Sequence, residues 1–238
     1  MRVTELWRYP VKSMGGETLL SADVDELGIA GDRGWGLFDL GTGTTLTARR
    51  TPELLFASAR IAGGELRIEL PTGETVGEDD GAALSSWLGR EVEVRSAGDD
   101  LETGGTYEAP RDAERDRQWV SWTGPGGAFH DSARARLSLV SETTLGDWDR
   151  RRFRANVIVS GDGEDAWVGS DIEVGDVRLS VVKQIDRCVM VTRPQPGLER
   201  DLDVLRAINA ERATFLAIGC TVARPGSVTM GAAVRPAR

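Results

Sequence analysis

The sequence has very little lysine, histidine and cysteine. Only Lys12 and Lys183 among its 29 basic side chains are lysines, and the rest are arginines. Its one histidine, His130, and its two cysteines, Cys188 and Cys220, do not form the clustered set that a Cys/His zinc site requires. Two cysteines are also too few for an iron–sulfur domain. We therefore expect no zinc, haem or iron–sulfur cluster.

The two cysteines do not make a disulfide framework for a chain of 238 residues. A single Cys188–Cys220 bridge stays open as an alternative, although an intracellular setting would keep both thiols reduced.

Long apolar runs and an excess of positive charge are also missing. No segment approaches the roughly 20 apolar residues that span a bilayer, and Glu5 lies where a signal peptide needs an apolar stretch. A net charge of −9 disfavours binding to nucleic acid and to anionic membranes. We therefore expect a cytoplasmic protein with neither of these as a partner.

Short strand patterns dominate the remaining sequence. Leu66–Leu70 alternates apolar and charged residues directly after a Gly-Gly pair, which is typical of a β-hairpin. Helical spacing is confined to Asp80–Leu88 and Leu198–Asn209, and a shorter helix is expected to start at Ser141. These patterns predict a mainly β protein with a few peripheral helices, built as barrels or sandwiches.

Residues 99–117 interrupt the strand patterns. The segment is rich in charge, glycine and threonine and has no periodicity. We interpret it as a linker or as a mobile loop over a site. The sequence therefore predicts two β-rich domains, at residues 1–98 and 118–238.

Cys188 stands at the end of a strand-like stretch, beside Arg187 and before a loop that contains proline and glycine. Thiolate is the reactive and metal-ligating form of cysteine, and a neighbouring fixed cation favours that form. A small buried hydrophobic residue is the alternative interpretation of a free cysteine.

Four other segments place cations or amide donors at the rims of predicted strands. They are Tyr9–Ser13, Gly31–Trp35, Leu46–Arg50 and Arg152–Asn156. Ligands bind at the rims of barrels, and guanidinium groups suit phosphate and carboxylate recognition. A surface salt bridge is the alternative for any one of these arginines taken alone.

These segments, in this order, resemble the MOSC-domain proteins that carry an accompanying N-terminal β-barrel domain. That family includes relatives of molybdenum-cofactor sulfurase and of the mitochondrial amidoxime-reducing component. The Arg-Phe-Arg-x-Asn stretch at Arg152–Asn156 and the Arg187-Cys188 pair are its most specific motifs, and weaker matches run nearly end to end. The resemblance implies an N-terminal β-barrel domain followed by a MOSC β-barrel domain.

The resemblance also implies a molybdenum cofactor, a pterin that carries a metal-binding dithiolene and a phosphate. Because dithiolene sulfurs and oxo groups fill most of the coordination sphere, the protein needs to offer only one soft thiolate. The resemblance assigns Cys188 as the metal ligand and catalytic residue. It assigns the pterin and its phosphate to Lys12, Ser13, Arg33, Arg154, Asn156 and Arg187, and more loosely to Ser141.

The chain departs from this family pattern at a few positions. Asp186 occupies a place where a small polar residue is common, and its charge would repel an anionic cofactor.

His130, beside Asp131, is interpreted as a surface or loop histidine rather than a catalytic base. Trp122 is interpreted as a loop residue at the edge of a substrate entrance.

Three functions stay open. The first, which the resemblance implies, is a molybdenum-dependent oxidoreductase that reduces N-hydroxylated small molecules with electrons from a separate redox protein. The second is a sulfur carrier or cofactor-sulfuration protein that holds a persulfide on Cys188. The third is a non-catalytic barrel that binds an anion.

Overall fold

A computed structural model describes residues 1–97, 104–110 and 118–237. Its strands are β1 Val3–Arg8, β2 Glu17–Leu19, β3 Ser21–Asp25, β4 Gly28–Ile29, β5 Trp35–Asp39, β6 Thr44–Thr45, β7 Ser58–Ala62, β8 Glu65–Glu69, β9 Thr75–Val76, β10 Val92–Ser96, β11 Thr106–Pro110, β12 Trp119–Thr123, β13 Leu137–Ser141, β14 Val157–Val159, β15 Asp171–Val174, β16 Val177–Asp186, β17 Phe215–Arg224, β18 Gly226–Thr229 and β19 Val234–Pro236. Its α-helices are α1 Gly81–Leu88, α2 Glu142–Leu145 and α3 Leu202–Arg212. The expected mainly β fold with a few peripheral helices is confirmed.

An eight-stranded sheet forms the centre of the second half of the chain. Its order is β19-β15-β16-β17-β13-β14-β1-β2, so two strands from the start of the sequence complete it. Only β13 and β14 pair in parallel in the part of the chain that the structure describes. The sheet covers a core that includes Leu139, Val157, Val159 and Ile218, all of which are buried.

The first half of the chain packs around its own core. Two three-stranded sheets, β10-β5-β6 and β7-β8-β9, enclose it together with α1. Leu54, Ile68 and Leu84 are completely buried there. The β7–β8 hairpin turns at Gly63 and Gly64, whose φ values of +63° and +85° favour glycine.

The predicted hairpin and the three predicted helices are confirmed, with shifted ends. Helix α1 ends at Gly89, which has a φ of +65°, and α2 begins after Ser141, whose hydroxyl accepts a hydrogen bond from Thr144 N. Helix α3 starts four residues later than predicted, because Asp201 caps its N-terminus by accepting from Asp203 N.

The segment predicted as a linker contains a strand. Thr106–Pro110 pairs in antiparallel register with Trp119–Thr123, so Trp122 belongs to a strand and not to a loop. Alternation within this hairpin is short, which is why periodicity did not reveal it. Residues 98–103 and 111–117 lie outside the described residues, and the domain boundaries at 98 and 118 stay a prediction.

Membrane-spanning helices were sought in the described ranges 1–97, 104–110 and 118–237. No helix there has both the length and the apolar content needed to cross a bilayer.

Candidate functional site

Seven of the eight predicted site residues line one cavity of about 500 Å³. They are Lys12, Ser13, Arg33, Arg154, Asn156, Arg187 and Cys188. The cavity takes walls from both halves of the chain. The residues that the sequence singled out in separate segments therefore meet at one place, although their roles toward a cofactor stay predictions.

The cavity is cationic although the protein as a whole is acidic. Seven cationic side chains but only three carboxylates line it, against a net charge of −9 for the chain. Both lysines of the sequence lie in its wall. Such a concentration of fixed cations favours an anionic ligand.

Lys12 is held in the cavity wall by hydrogen bonds to two residues of one loop, Phe129 and Asp131. Its Nζ donates to Phe129 O at 3.0 Å and to Asp131 Oδ1 at 2.7 Å, and it lies 4.3 Å from the centre of the Tyr107 ring. Burial lowers the pKa of Lys12, and the charge of Asp131 opposes that shift. The positive charges of Lys12 and Arg33 lower the pKa of the exposed Asp131 carboxyl to about 2.

Tyr9 lies against two guanidinium groups of the cavity wall. The Arg33 and Arg154 guanidinium carbons are 5.4 Å and 4.4 Å from the centre of its ring. Arg33 also donates to Asp32, and its Nη2 donates to Arg154 O at 3.3 Å. Burial and the nearby Arg33 charge lower the pKa of Arg154 to about 10, so Arg154 keeps its charge at neutral pH.

Three of the predicted site residues have left-handed backbone conformations. The φ values are +69° for Ser13, +53° for Arg33 and +52° for Arg154. Non-glycine residues rarely adopt this conformation, and it is enriched at ligand-binding sites. The fold thus holds these three side chains in place at a cost in backbone strain.

Three hydrogen bonds anchor Arg187, the residue directly before Cys188 in the sequence. Its Nε donates to Leu216 O at 2.8 Å, its Nη1 donates to Phe153 O at 3.0 Å, and its backbone N donates to Thr214 O at 2.8 Å. Burial lowers the pKa of Arg187 to about 10. Cys188 follows at the start of a 3₁₀ turn, is half-buried and lines the cavity.

The two cysteines have different environments and are both free. Cys220 is completely buried in the core of the large sheet, where burial raises the pKa of its thiol to about 12. The alternative of a Cys188–Cys220 disulfide is therefore wrong. The alternative that Cys188 is a buried core residue is also wrong, because its side chain lies at the cavity.

Arg152 is a supporting residue that the sequence did not single out from its arginine-rich segment. It is buried, and its guanidinium donates to Val191 O and Arg193 O at 3.2 Å and to Glu199 O at 2.8 Å. These three carbonyls belong to the loop that follows Cys188. Arg152 therefore positions that loop. Its carbonyl-only contacts distinguish it from a surface salt bridge.

Two predicted site residues use their polar groups within the fold. Asn156 lies in the cavity wall, but its Oδ1 accepts from Ser138 Oγ at 3.0 Å and its Nδ2 donates to Trp7 O at 3.3 Å. Ser141 is completely buried and is not among the residues lining the cavity. Its hydroxyl caps α2, so the loosely assigned cofactor contact of Ser141 is not supported by its position.

His130 lies in a loop, as its sequence context indicated, but it is not at the surface. It is 2% exposed, and it lies in the cavity wall. Tyr107 and Trp122, on β11 and β12, line the same cavity with ring centres 4.8 Å apart. Trp122 is thus at the cavity, as its interpretation as an entrance residue requires.

The polar atoms of the cavity fit an anionic group that brings its own metal ligands. Arg154 Nη1 and Arg187 Nη2 are buried and have no hydrogen-bond partner among the described residues. A buried guanidinium nitrogen without a partner is costly, and a phosphate or another oxyanion would satisfy it. Within the described ranges, no three His, Cys, Asp or Glu side chains are grouped to hold a metal ion.

The sequence and fold agree on the class of protein. Residues 1–103 match the model of the MOSC N-terminal beta barrel domain, and residues 123–235 match that of the MOSC domain. The chain therefore belongs to the MOSC-domain family, as the resemblance indicated.

Individual relatives are distant. Mitochondrial amidoxime-reducing component 1 of Homo sapiens is 26% identical, over 88% of this chain and 72% of its own length. Molybdenum cofactor sulfurase of Drosophila mojavensis is 24% identical, over 96% of this chain and 32% of its own length. Because relatives are named as mitochondrial, the cytoplasmic location stays a prediction.

Among solved structures, the YUAD protein from Bacillus subtilis matches with a TM-score of 0.51. It is 16% identical, and the match covers 98% of this chain and 93% of that chain. At this identity the likeness shows the fold alone.

Proposed function

We propose that this protein binds a molybdenum cofactor and is an oxidoreductase that reduces N-hydroxylated small molecules, with electrons from a separate redox protein. One observation carries the proposal: a half-buried thiol, Cys188, shares a cavity with a concentration of buried and half-buried cations. The names of the amidoxime-reducing relatives supply the substrate class. Their distance is why this class is a proposal for this chain.

The residues divide by chemistry into two groups. Lys12, Arg33, Arg154 and Arg187 would hold the anionic groups of the cofactor, since each presents a fixed cationic donor. Cys188 would supply the one protein thiolate to the metal. When bound, the cofactor supplies two-electron redox chemistry that no side chain offers.

The experiment is elemental analysis of protein purified from a host that makes molybdenum cofactor. We expect about one molybdenum per chain, since one soft thiolate completes the coordination. Cys188→Ala should lose the metal. Cys220→Ala is the matched control, because that thiol is buried in the sheet core and away from the cavity. Wild-type protein without molybdenum from such a host would refute the proposal.

Sulfur transfer is the second candidate, and the relationship to a molybdenum cofactor sulfurase favours it. In this function, Cys188 would accept sulfur from a cysteine desulfurase as a persulfide and pass it to a metal centre. Mass spectrometry after incubation with a desulfurase and L-cysteine separates the two functions. A stable sulfur adduct on Cys188, absent in Cys188→Ala, would favour delivery over reduction.

Anion binding without catalysis is the third candidate, and the cationic wall alone is compatible with it. Ligand affinity that stays unchanged in Cys188→Ala would favour this function. A loss of metal together with retention of the pterin would favour the oxidoreductase.

A further inference from the structure

His130 is a buried polar residue of the cavity wall to which the proposed function assigns no role. It is the one histidine of the chain. Its residue exposure is 2%, and its Nε2 has no hydrogen-bond partner in the part of the chain that the structure describes. Leaving such a group unpaired in the protein interior destabilises the fold. A fold that retains this arrangement is expected to pair the nitrogen with something that binds in the cavity.

Burial, assisted by nearby positive charges, keeps this imidazole neutral. Burial lowers the pKa of His130 to about 3, and the charges of Arg33, Arg136 and Lys12 act in the same direction against that of Asp32. The neighbouring residues are already engaged, because Phe129 O and Asp131 Oδ1 both hold Lys12. In the sequence, His130 therefore lies between Phe129 and Asp131, the two residues that hold the buried ammonium group of Lys12.

A neutral imidazole offers an acceptor nitrogen that the cationic side chains of the cavity wall lack. Lysine and arginine only donate hydrogen bonds, whereas a neutral imidazole has one donor and one acceptor nitrogen. Asp131 already accepts from Lys12, and Asn156 Oδ1 already accepts from Ser138. The anionic groups of a molybdenum cofactor suit the cations. Its pterin ring is uncharged and carries both N–H donors and ring-nitrogen acceptors, so a neutral imidazole can pair with it.

We propose that His130 contacts the cofactor directly and hydrogen-bonds its pterin ring through the buried imidazole. This assignment rests on the proposed function, since it takes the cofactor as the occupant of the cavity. It adds a neutral recognition residue to the cationic residues that the family motifs indicate. It also gives the unpaired Nε2 a hydrogen-bond partner, as an anionic group would for the unpaired nitrogens of Arg154 and Arg187.

The test compares His130→Leu, which removes both nitrogens at similar volume, with His130→Gln, which keeps a donor and an acceptor. Each protein is purified from a host that makes molybdenum cofactor and is dialysed. Molybdenum is measured by elemental analysis, and pterin by fluorescence after oxidative release. We expect retained cofactor to fall about tenfold in His130→Leu, which is the effect of losing about 1.4 kcal/mol of binding, and to stay within about twofold of wild type in His130→Gln.

The melting temperature of the cofactor-free proteins separates recognition from a structural role. Because Nε2 has no hydrogen bond to lose among the described residues, His130→Leu should be about as stable as wild type without cofactor. Val168→Ala, at an exposed apolar position, is the control substitution. Equal cofactor retention in His130→Leu and wild type would overturn the assignment, and so would a loss matched by a lower cofactor-free melting temperature. Wild-type protein that contains neither molybdenum nor pterin would instead refute the proposed function, and the assignment with it.

Discussion

The buried histidine makes the stability of the protein depend on pH in a range where few other groups titrate. The pKa of His130 is about 3 in the folded protein and 6.5 in an unfolded chain. Between these values the unfolded chain binds a proton that the folded protein does not bind. The free energy of unfolding therefore falls as the pH falls, by up to about 1.4 kcal/mol per pH unit.

The expected loss is about 2 kcal/mol between pH 8 and pH 5, obtained by integrating proton binding to an unfolded histidine over that range. This range is informative because the sequence has one histidine and because glutamate ordinarily titrates near 4.5. Urea unfolding of cofactor-free protein at the two pH values, at constant ionic strength, measures the loss. His130→Gln carries no titrating ring and provides the matched control.

The two proteins should differ in their response to acid and not only in their stability at pH 8. Wild type should lose about 2 kcal/mol more than His130→Gln, which corresponds to a melting temperature lower by roughly 4–8 °C for a chain of this size. The same acid-induced loss in both proteins would show that His130 is not kept neutral, and would remove the physical basis for treating it as a buried uncharged ring.

Three further outcomes follow from the same structure. Arg152→Gln should destabilise the protein by roughly 2–4 kcal/mol, measured by urea unfolding, and should lower molybdenum loading, because it releases three carbonyls of the loop after Cys188. Iodoacetamide should label Cys188 in the native protein and Cys220 only after unfolding, as peptide mass spectrometry would show; rapid native labelling of Cys220 would contradict its burial. Thr214→Gly should raise the free energy of unfolding by roughly 0.5–1 kcal/mol, because a β-branched residue at φ +76° is strained. A decrease in the free energy of unfolding would show instead that the Thr214 side chain makes stabilising contacts.

Local sequence patterns predicted the elements better than their assembly. Glycine pairs, alternation and helix caps act over a few residues, so the β7–β8 hairpin and α1 were identifiable. The pairing of β1 with β14 joins residues more than 150 positions apart, as the partners Val3 and Val159 show. No local pattern specifies such a pair, so the sequence did not reveal that the large sheet takes strands from both halves of the chain.

The same limit applies to the site. Cys188 and the arginines were identified from short sequence motifs, and the structure brings them to one cavity. The loop position of His130 was predicted but its burial was not, because its neighbour Asp131 is polar and exposed, whereas the burial comes from contacts distant in sequence. Lys12, for example, donates to Phe129 O across 117 positions. Ser141 was recognised as a helix cap, and that role accounts for its hydroxyl.

The unpartnered guanidinium nitrogens are the strongest reason to look outside the chain for the missing charge. Arg154 and Arg187 each leave one buried nitrogen without a partner in the described residues, yet both keep their charge at neutral pH. The chain has 38 acidic residues, so carboxylates were available to pair with them. Pairing them internally would stabilise the protein without its ligand and would weaken anion binding, because the anion would have to displace a carboxylate. The absence of such pairs within the described cavity wall therefore favours an anionic ligand over a purely structural role for these arginines.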